Sequence, residues 1–336
     1  MRKVLIAFLV VALAVSMMVA ACGKEEEKPT IKLSDLNWGS AHFGSEVAKL
    51  IIEKGYGYPV ELVSGKTIAL FTATRTGDLD VFIEGWLPNQ QEAYDEAMAA
   101  GDIVHLGILN NDNWQSQFAV PTYVIKGDAA RGIAPMAPDL KSVFDLDQPQ
   151  YKELFKNPEN PGKGMILNCV PGWECEKVNI AQLAAYGLDD DYDLVSPGSS
   201  TALHAALKGA YEKGKPWITY EWGPTWISGS LDLTLLEEPP YDEEVWEENK
   251  GCAYPSADLF VAAHKDFPSK APEVAEMFKK WKMDTATLGE ALAYMLETEC
   301  EPADAALWFL QNREDVWTKF VPADVAQKVK DAVAGM

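Results

Sequence analysis

Three tryptophans stand beside glycine or proline, where predicted strands end or loops begin. Trp86 lies in Glu-Gly-Trp-Leu-Pro, Trp173 in Pro-Gly-Trp-Glu-Cys and Trp222 in Tyr-Glu-Trp-Gly-Pro. Neighbours that interrupt regular backbone place an indole poorly for core packing and well for a cleft. Indole faces attract a cation that cannot hydrogen-bond, such as trimethylammonium, by about 0.5 to 2 kcal/mol per contact. We therefore predict that these tryptophans form a cage for a quaternary ammonium ligand.

Core packing is the alternative role for any single tryptophan, because the chain contains 11 of them. We expect packing for Trp281, Trp308 and Trp317, which fall on predicted helices. Further candidates for the wall of the cleft, each with core packing as its alternative, are Trp38, Ser40, Trp114, Gln117 and Tyr123.

Two acidic residues stand close to cage tryptophans. Glu221 precedes Trp222, and strand alternation puts Glu84 on the same side as Trp86 if the strand continues that far. A carboxylate in the pocket would favour a ligand without a negative charge of its own, such as choline. The alternative, which we favour, is that these carboxylates bond to loop amides or to lysine and arginine side chains.

The elements that must position these residues alternate between strand and helix. The pattern predicts strands at 31–36, 60–63 and 79–83 and helices at 41–54 and 67–75. This order is typical of an α/β fold with parallel strands, in which ligands bind at the carboxyl ends of the strands.

The same alternation restarts in the middle of the chain. Predicted there are strands at 165–167 and 217–220 and helices at 176–186 and 201–213. The last third returns to a strand at 258–263 and then becomes helical, at 271–282, 288–298, 302–312 and 323–334. We infer two α/β lobes, with the chain crossing back to complete the first.

The chain divides into four predicted parts. Residues 1–21 form a signal peptide and residues 22–30 a charged tether. Residues 31–123 together with 246–336 form lobe 1, and residues 124–245 form lobe 2.

The amino terminus carries the features of an export signal, because Arg2 and Lys3 precede an apolar run over residues 4–21. The run ends in Val-Ala-Ala-Cys, which resembles the lipobox of bacterial lipoproteins, in which the cysteine, here Cys22, is acylated. An uncleaved transmembrane anchor is the alternative. With either, the rest of the chain is extracytoplasmic, and we expect it to be anchored to a bacterial membrane by lipid.

Four cysteines remain after Cys22, an even number in an oxidising compartment. Cys169 and Cys175 flank a Pro-Gly turn that can bring them within bonding distance. Cys252 and Cys300 are the other available pair, and we predict a second disulfide between them, with free thiols as the alternative. The four histidines are scattered and no Cys-x-x-Cys occurs, so no metal or cofactor is expected.

Composition and motifs exclude several function classes. The formal net charge of −22 argues against nucleic acid as a partner, because phosphate backbones are bound by clustered lysine and arginine. No Gly-x-Ser-x-Gly, His-Glu-x-x-His or nucleotide fingerprint occurs. Gly65-Lys66-Thr67 imitates the end of a phosphate loop, but Val60 stands at the place of its first glycine. We expect a binding protein and not an enzyme.

Four segments resemble the glycine betaine-binding proteins of ABC importers for betaine and proline betaine. They are 78–88, 168–175, 181–186 and 213–226, and the similarity extends over nearly all of the mature chain. The resemblance implies a two-lobed periplasmic-binding-protein fold of type II with the ligand in the interlobe cleft. It also implies a monomer that delivers its ligand to an ABC permease.

Matched by motif, the family's cage falls on Trp86, Trp173 and Trp222, and the disulfide that braces the cage is Cys169–Cys175. The family holds the ligand carboxylate with the amides of the two residues after the middle tryptophan, here Glu174 and Cys175, and with a histidine. This chain departs from the family at two positions, with Gln90 in place of that histidine and Glu174 in place of a glycine. Glutamine can still donate a hydrogen bond to a carboxylate.

Glycine betaine is therefore the expected ligand, with choline or another onium compound as the alternative. A ligand sensor that signals to a membrane partner would use the same fold and cage.

Overall fold

A computed structural model describes residues 28–336 of the 336-residue chain. The predicted signal peptide, the lipid site at Cys22 and residues 22–27 of the tether lie outside the described residues. Between residues 28 and 336, no helix has both the length and the apolar character needed to cross a bilayer.

Two five-stranded sheets organise the described chain, one in each lobe. Their orders are β2-β1-β3-β10-β4 and β7-β6-β8-β5-β9. The strands are β1 (Ile31–Leu36), β2 (Val60–Gly65), β3 (Val81–Leu87), β4 (Ile103–Asn110), β5 (Trp114–Pro121), β6 (Gly164–Leu167), β7 (Tyr192–Val195), β8 (Ile218–Gly223), β9 (Leu233–Leu235) and β10 (Asp258–His264).

Helices cover the faces of both sheets. The α-helices are α1 (Gly39–Ile51), α2 (Thr67–Thr76), α3 (Gln91–Ala100), α4 (Thr122–Lys126), α5 (Pro149–Leu154), α6 (Cys175–Ala185), α7 (Ser200–Glu212), α8 (Trp226–Ser230), α9 (Glu243–Asn249), α10 (Phe267–Lys270), α11 (Pro272–Phe278), α12 (Thr285–Thr298), α13 (Pro302–Asn312), α14 (Glu314–Trp317) and α15 (Ala323–Val333). Shorter helical turns are a π-turn at Ile52–Tyr56 and 3-10 turns at Ala129–Arg131 and Val143–Asp147.

Both lobes have the parallel strands that the α/β pattern predicts. In the first lobe β1 pairs in parallel with β2 and β3, and in the second β6 pairs in parallel with β7 and β8. The predicted strand at 258–263 is also confirmed, and it inserts antiparallel between β3 and β4. Because both its neighbours belong to the first lobe, the chain does cross back to complete that lobe.

The core of the first lobe explains why the tail is helical. The side chains of Phe43 on α1 and Phe309 on α13 are buried, with ring centroids 5.3 Å apart. Trp281 and Trp317 are buried in the same core, and Trp308 stacks on Tyr294 at 4.4 Å. These three tryptophans therefore pack as predicted.

The predicted boundary between the lobes at residue 123 is wrong. Strand β5 lies in the second sheet, where Trp114 pairs with Gly223, so the chain leaves the first lobe at residues 111–113. The Asn113 side chain donates to Ala257 O at 2.8 Å and accepts from Ala257 N at 3.1 Å. These bonds tie the outgoing segment to the returning one. The returning segment still contacts the second lobe at Cys252, whose backbone oxygen accepts from Gln182 Nε2.

Candidate ligand-binding site

A cavity with about 370 Å³ of unfilled space lies between the lobes. Its aromatic wall consists of Trp38 and Trp86 from the first lobe and Trp173, Tyr220 and Trp222 from the second. The structure thus brings together all three predicted cage tryptophans, with Trp38 as a fourth.

The topology explains why four tryptophans meet. Trp38 follows β1, Trp86 lies near the end of β3, Trp173 follows β6 and Trp222 lies near the end of β8. Parallel strands present their carboxyl ends at one edge of a sheet, which is where α/β folds bind ligands. Each lobe therefore contributes two indoles at its binding edge.

The rings of the cage contact one another mainly edge to face. The centroids of Trp38 and Trp173 are 5.3 Å apart with planes at 77°, and those of Trp173 and Trp222 are 5.4 Å apart at 86°. Tyr220 stacks on Trp222 at 5.6 Å. Because neighbouring rings are nearly perpendicular, their faces look in different directions and can surround a compact group.

Gln90 is held against the cage by the turn after β3. It is buried, and its Oε1 accepts from Trp86 N at 3.1 Å, so its Nε2 group is the one left to donate to a ligand. A Cβ at Gly85 would lie 2.3 Å from the Phe260 ring and 2.8 Å from Gln90 Oε1. Glycine is therefore required at position 85 for Gln90 to approach the strand.

The loop that carries Trp173 is closed by the predicted disulfide. Cys169 and Cys175 are bonded, six positions apart in sequence. Within the loop, Gly172 has a φ of 87° and donates its N–H to Glu176 Oε2 at 3.0 Å. Glu174 and Cys175 line the cavity where α6 begins, and N–H groups at the start of a helix have no partner within the helix.

The predicted bond between Cys252 and Cys300 is absent, since both are free thiols. Cys252 lies beside the second lobe, where its Sγ contacts Asp242 O at 3.5 Å. Cys300 follows α12 in the first lobe. An even number of cysteines did not imply proximity, and the free-thiol alternative holds.

Glu84 and Glu221 are fully buried but do not line the cavity. Glu84 Oε1 accepts from Trp38 Nε1 and from Ser40 Oγ, each at 2.7 Å, and burial raises the pKa of Glu84 to about 7. Glu221 Oε1 accepts from Thr225 Oγ1 at 2.6 Å, and burial raises the pKa of Glu221 to about 8. Neither carboxylate bonds to a lysine or arginine side chain in the described part of the chain, but Glu221 also accepts from a backbone amide, that of Trp222, which agrees with the other half of the favoured alternative.

Of the further wall candidates, Trp38 alone lines the cavity. Trp114 packs against Gly223, Gln117 is buried, and Tyr123 OH donates to Lys215 O at 2.6 Å. Lining residues that the sequence reasoning missed are Tyr220, Thr67, Asn89 and Gln115.

Several hydrogen bonds join the lobes around the cavity. Trp173 Nε1 donates to Asn37 Oδ1 at 2.7 Å, and Ser200 Oγ donates to Asn37 O at 2.9 Å. On the other side, Asn89 Nδ2 donates to Gln115 Oε1 at 2.8 Å. The structure is therefore a closed arrangement of the two lobes.

Residues 29–312 match the family model of the substrate-binding domain of ABC-type glycine betaine transport systems. The chain belongs to this family. It is thus a substrate-binding protein of the ABC-transporter type, and such proteins are not enzymes.

Two curated relatives show what this substrate-binding protein is similar to. It is 26% identical, over 95% of its length and 99% of the relative's, to the trimethylamine N-oxide-binding protein of Pelagibacter ubique. It is 25% identical, over 74% of its length and 73% of the relative's, to the glycine betaine/proline betaine-binding periplasmic protein of Escherichia coli.

Solved structures agree on the fold of the substrate-binding protein. The glycine betaine, L-proline-binding protein ProX of Borrelia burgdorferi has a TM-score of 0.73 at 18% identity, covering 89% of this chain and 99% of that one. An ABC-transporter choline-binding protein in complex with choline has a TM-score of 0.71 at 18% identity, covering 90% of this chain and 98% of that one. The predicted two-lobed binding-protein fold is confirmed.

Proposed function

We propose that this protein captures a zwitterionic trimethylammonium compound, glycine betaine in the first place, and delivers it to an ABC permease. The observation that carries the proposal is the aromatic cage, to which both lobes contribute indoles. Lobe closure buries a compact cation between ring faces, where cation–π attraction is strongest because water is excluded. We further propose that the protein acts as a monomer outside the cytoplasm, held at the membrane by lipid on Cys22.

The polar part of the wall favours a ligand that has its own negative end. Donors available to such an end are Gln90 Nε2 and the amides of Glu174 and Cys175 at the start of α6, where the helix dipole is positive. The Glu174 carboxylate is occupied by Lys177 Nζ at 2.8 Å. Glu84 and Glu221 lie behind the wall, so neither carboxylate lines the cavity in place of the anion that choline lacks.

Trimethylamine N-oxide is a second candidate ligand. The relative named for it is aligned over 95% of this chain, more than the 74% aligned with the betaine-binding relative from Escherichia coli. An N-oxide also combines a methylated cationic nitrogen with an anionic oxygen, so the same cage and donors suit it.

Calorimetric titration of a form that begins after Cys22 tests the proposal. We expect glycine betaine or trimethylamine N-oxide to bind at least about tenfold more tightly than choline, since the hydroxyl of choline offers the donors a neutral acceptor in place of an anionic oxygen. Tighter binding of choline would overturn the zwitterion proposal. Binding of none of the three would overturn the cage.

Replacing Gln90 with leucine isolates the role of the donor. We expect the affinity for glycine betaine to fall about tenfold, because a hydrogen bond to a charged group is lost, and the affinity for choline to fall less, because its hydroxyl is a neutral and weaker acceptor. Titration of both ligands measures this difference. The matched control is Gln91→Leu, because Gln91 bonds to Asp95 on the surface of α3. Equal losses for both ligands in Gln90→Leu would contradict the role of Gln90 as a donor.

A further inference from the structure

Glu84 lies behind the cage, where it is shielded from solvent and does not line the cavity. Its side chain is 1% exposed, and one carboxyl oxygen receives the indole N–H of Trp38 and the hydroxyl of Ser40. The second oxygen, Oε2, has no hydrogen-bond partner in the described part of the chain. A buried carboxyl oxygen without a partner is unfavourable unless another charge compensates it.

The backbone at Glu84 is also unfavourable for the residue that occupies it. Its φ of 67° is in the left-handed region, which side chains with a Cβ rarely adopt. The irregularity coincides with a register shift in the pairing of β3 with β10, between Phe260 and Val261. Backbone strain of this kind concentrates at functional sites. The left-handed backbone at Glu84 turns the carboxyl group toward the Trp38 indole instead of toward the cavity.

We propose that Glu84 is the counter-charge of the ligand's ammonium group and acts on it through Trp38 without touching it. A carboxylate that accepts an indole N–H strengthens that hydrogen bond and pushes electron density onto the ring face that the cation contacts. The carboxylate also attracts the cation directly across a region of low dielectric constant. This inference rests on the proposed capture of a trimethylammonium ligand, and it makes Glu84 a positioning and charge-providing residue.

A counter-charge of this kind makes binding depend on pH. Burial raises the pKa of Glu84 to about 7, so the carboxyl group is protonated in part of the empty protein at neutral pH. A bound cation favours the ionised form and lowers this pKa. Binding therefore releases a proton, and affinity rises as pH increases from about 6 to about 8.

Few other charges face this group. His42 on α1 is the charged neighbour that lowers the pKa of Glu84, and His42 is itself paired with Asp35 on β1 at 2.5 Å. On β10, Phe260 and Val261 carry no charge. In the other lobe, the buried His204 has a pKa of about 4, below this pH range, and Glu221 has a pKa of about 8, at its upper end.

The test compares the wild type with Glu84→Gln, which keeps an acceptor for Trp38 and Ser40 but removes the charge. Glycine betaine and trimethylamine N-oxide are titrated between pH 5.5 and 8.5, in pairs of buffers with different ionisation enthalpies to count released protons. If the bound cation lowers the pKa by about one unit, wild-type affinity rises about tenfold over this range. We expect Glu84→Gln to bind about tenfold more weakly at pH 8, with no such rise.

Two further variants keep the result interpretable. Glu238→Gln is the matched control, because the pKa of Glu238 is also raised to about 7 by burial, but its donors, Tyr186 and Ser116, do not line the cavity. We expect it to retain the wild-type pH profile. Ser40→Ala removes one donor to Glu84, and it should shift the rise in affinity to higher pH even if Glu84→Gln fails to fold.

Failure of this inference differs from failure of the proposed function. If the wild type binds neither trimethylammonium ligand, the cage itself is wrong. If the wild type binds these ligands but its affinity does not rise between pH 6 and 8, Glu84 is only a structural support for Trp38 and the counter-charge is rejected. The same holds if the affinity of Glu84→Gln still rises over this range.

Discussion

Replacing Trp173 with alanine is expected to weaken binding of trimethylammonium ligands by about three orders of magnitude. Trp173 is the central ring of the cage, with Trp38 on one side and Trp222 on the other. Its loss removes a desolvated cation–π contact of about 2 kcal/mol and leaves both neighbouring rings without an edge contact. It also removes the hydrogen bond to Asn37 that joins the lobes. Together these losses amount to about 4 kcal/mol, or a thousandfold in affinity.

A graded series separates the two roles of Trp173. Trp173→Phe keeps an aromatic face but loses the N–H donor, and Asn37→Ala loses the acceptor of the same bond. We expect each to weaken binding about tenfold, and the double variant to bind no more weakly than about the worse single one, because both remove one interaction. Calorimetric titration with glycine betaine and trimethylamine N-oxide measures all of these affinities.

The control for this series is Trp308→Ala, since Trp308 stacks on Tyr294 away from the cavity. It should reduce stability without changing affinity. Should Trp173→Ala bind within tenfold of the wild type, the ligand does not lie against Trp173 and the cage assignment fails.

Local sequence signals predicted that the cage tryptophans lie at strand ends and loops, and the resemblance to the glycine betaine-binding family singled them out as a cage. Glycine or proline beside Trp86, Trp173 and Trp222 marks the ends of strands and the loops that follow them. The alternation of strands and helices makes the strands parallel, and parallel strands bring those ends to one edge. Both signals depend only on neighbours in sequence, which is why they could be read without the structure.

Contacts between distant segments could not be read in this way. The Trp173–Asn37 bond spans 136 positions, and strand β5, which carries Gln115, has its place in the second sheet through pairing with β8 and β9. Without β5, the sequence put the lobe boundary at residue 123 and missed Gln115 as part of the wall. Tyr220 stands two positions before Trp222 on β8, so strand alternation puts both rings on one face, and this signal could have predicted Tyr220 as part of the wall.

The direction of Glu84 was the other feature that depended on the structure. Regular alternation puts residues two apart on the same face of a strand, so Glu84 was placed beside Trp86. The left-handed backbone at Glu84 interrupts this alternation, and the carboxyl group lies behind the cavity wall, where it interacts with the side chains of both Trp38 and Trp86. A pattern of period two cannot anticipate an irregular residue inside a strand.

Removing the Cys169–Cys175 disulfide is expected to affect stability and affinity separately. The bond closes a loop of six positions, for which the lost chain entropy corresponds to about 2 kcal/mol of unfolding free energy. The double replacement Cys169→Ser and Cys175→Ser should lower the free energy of unfolding by about this amount. Urea unfolding of the unliganded protein measures the change.

The same double replacement should weaken ligand binding about tenfold, because the freed loop must be ordered again each time Trp173 enters the cage. Cys252→Ser is the control, since Cys252 is a buried thiol outside any disulfide and outside the cavity wall. A loss of stability with unchanged affinity would mean that Gly172 and the Glu176 carboxylate hold the loop without the disulfide. A loss of affinity beyond that of the control instead identifies the disulfide as the element that holds Trp173 ready for the ligand.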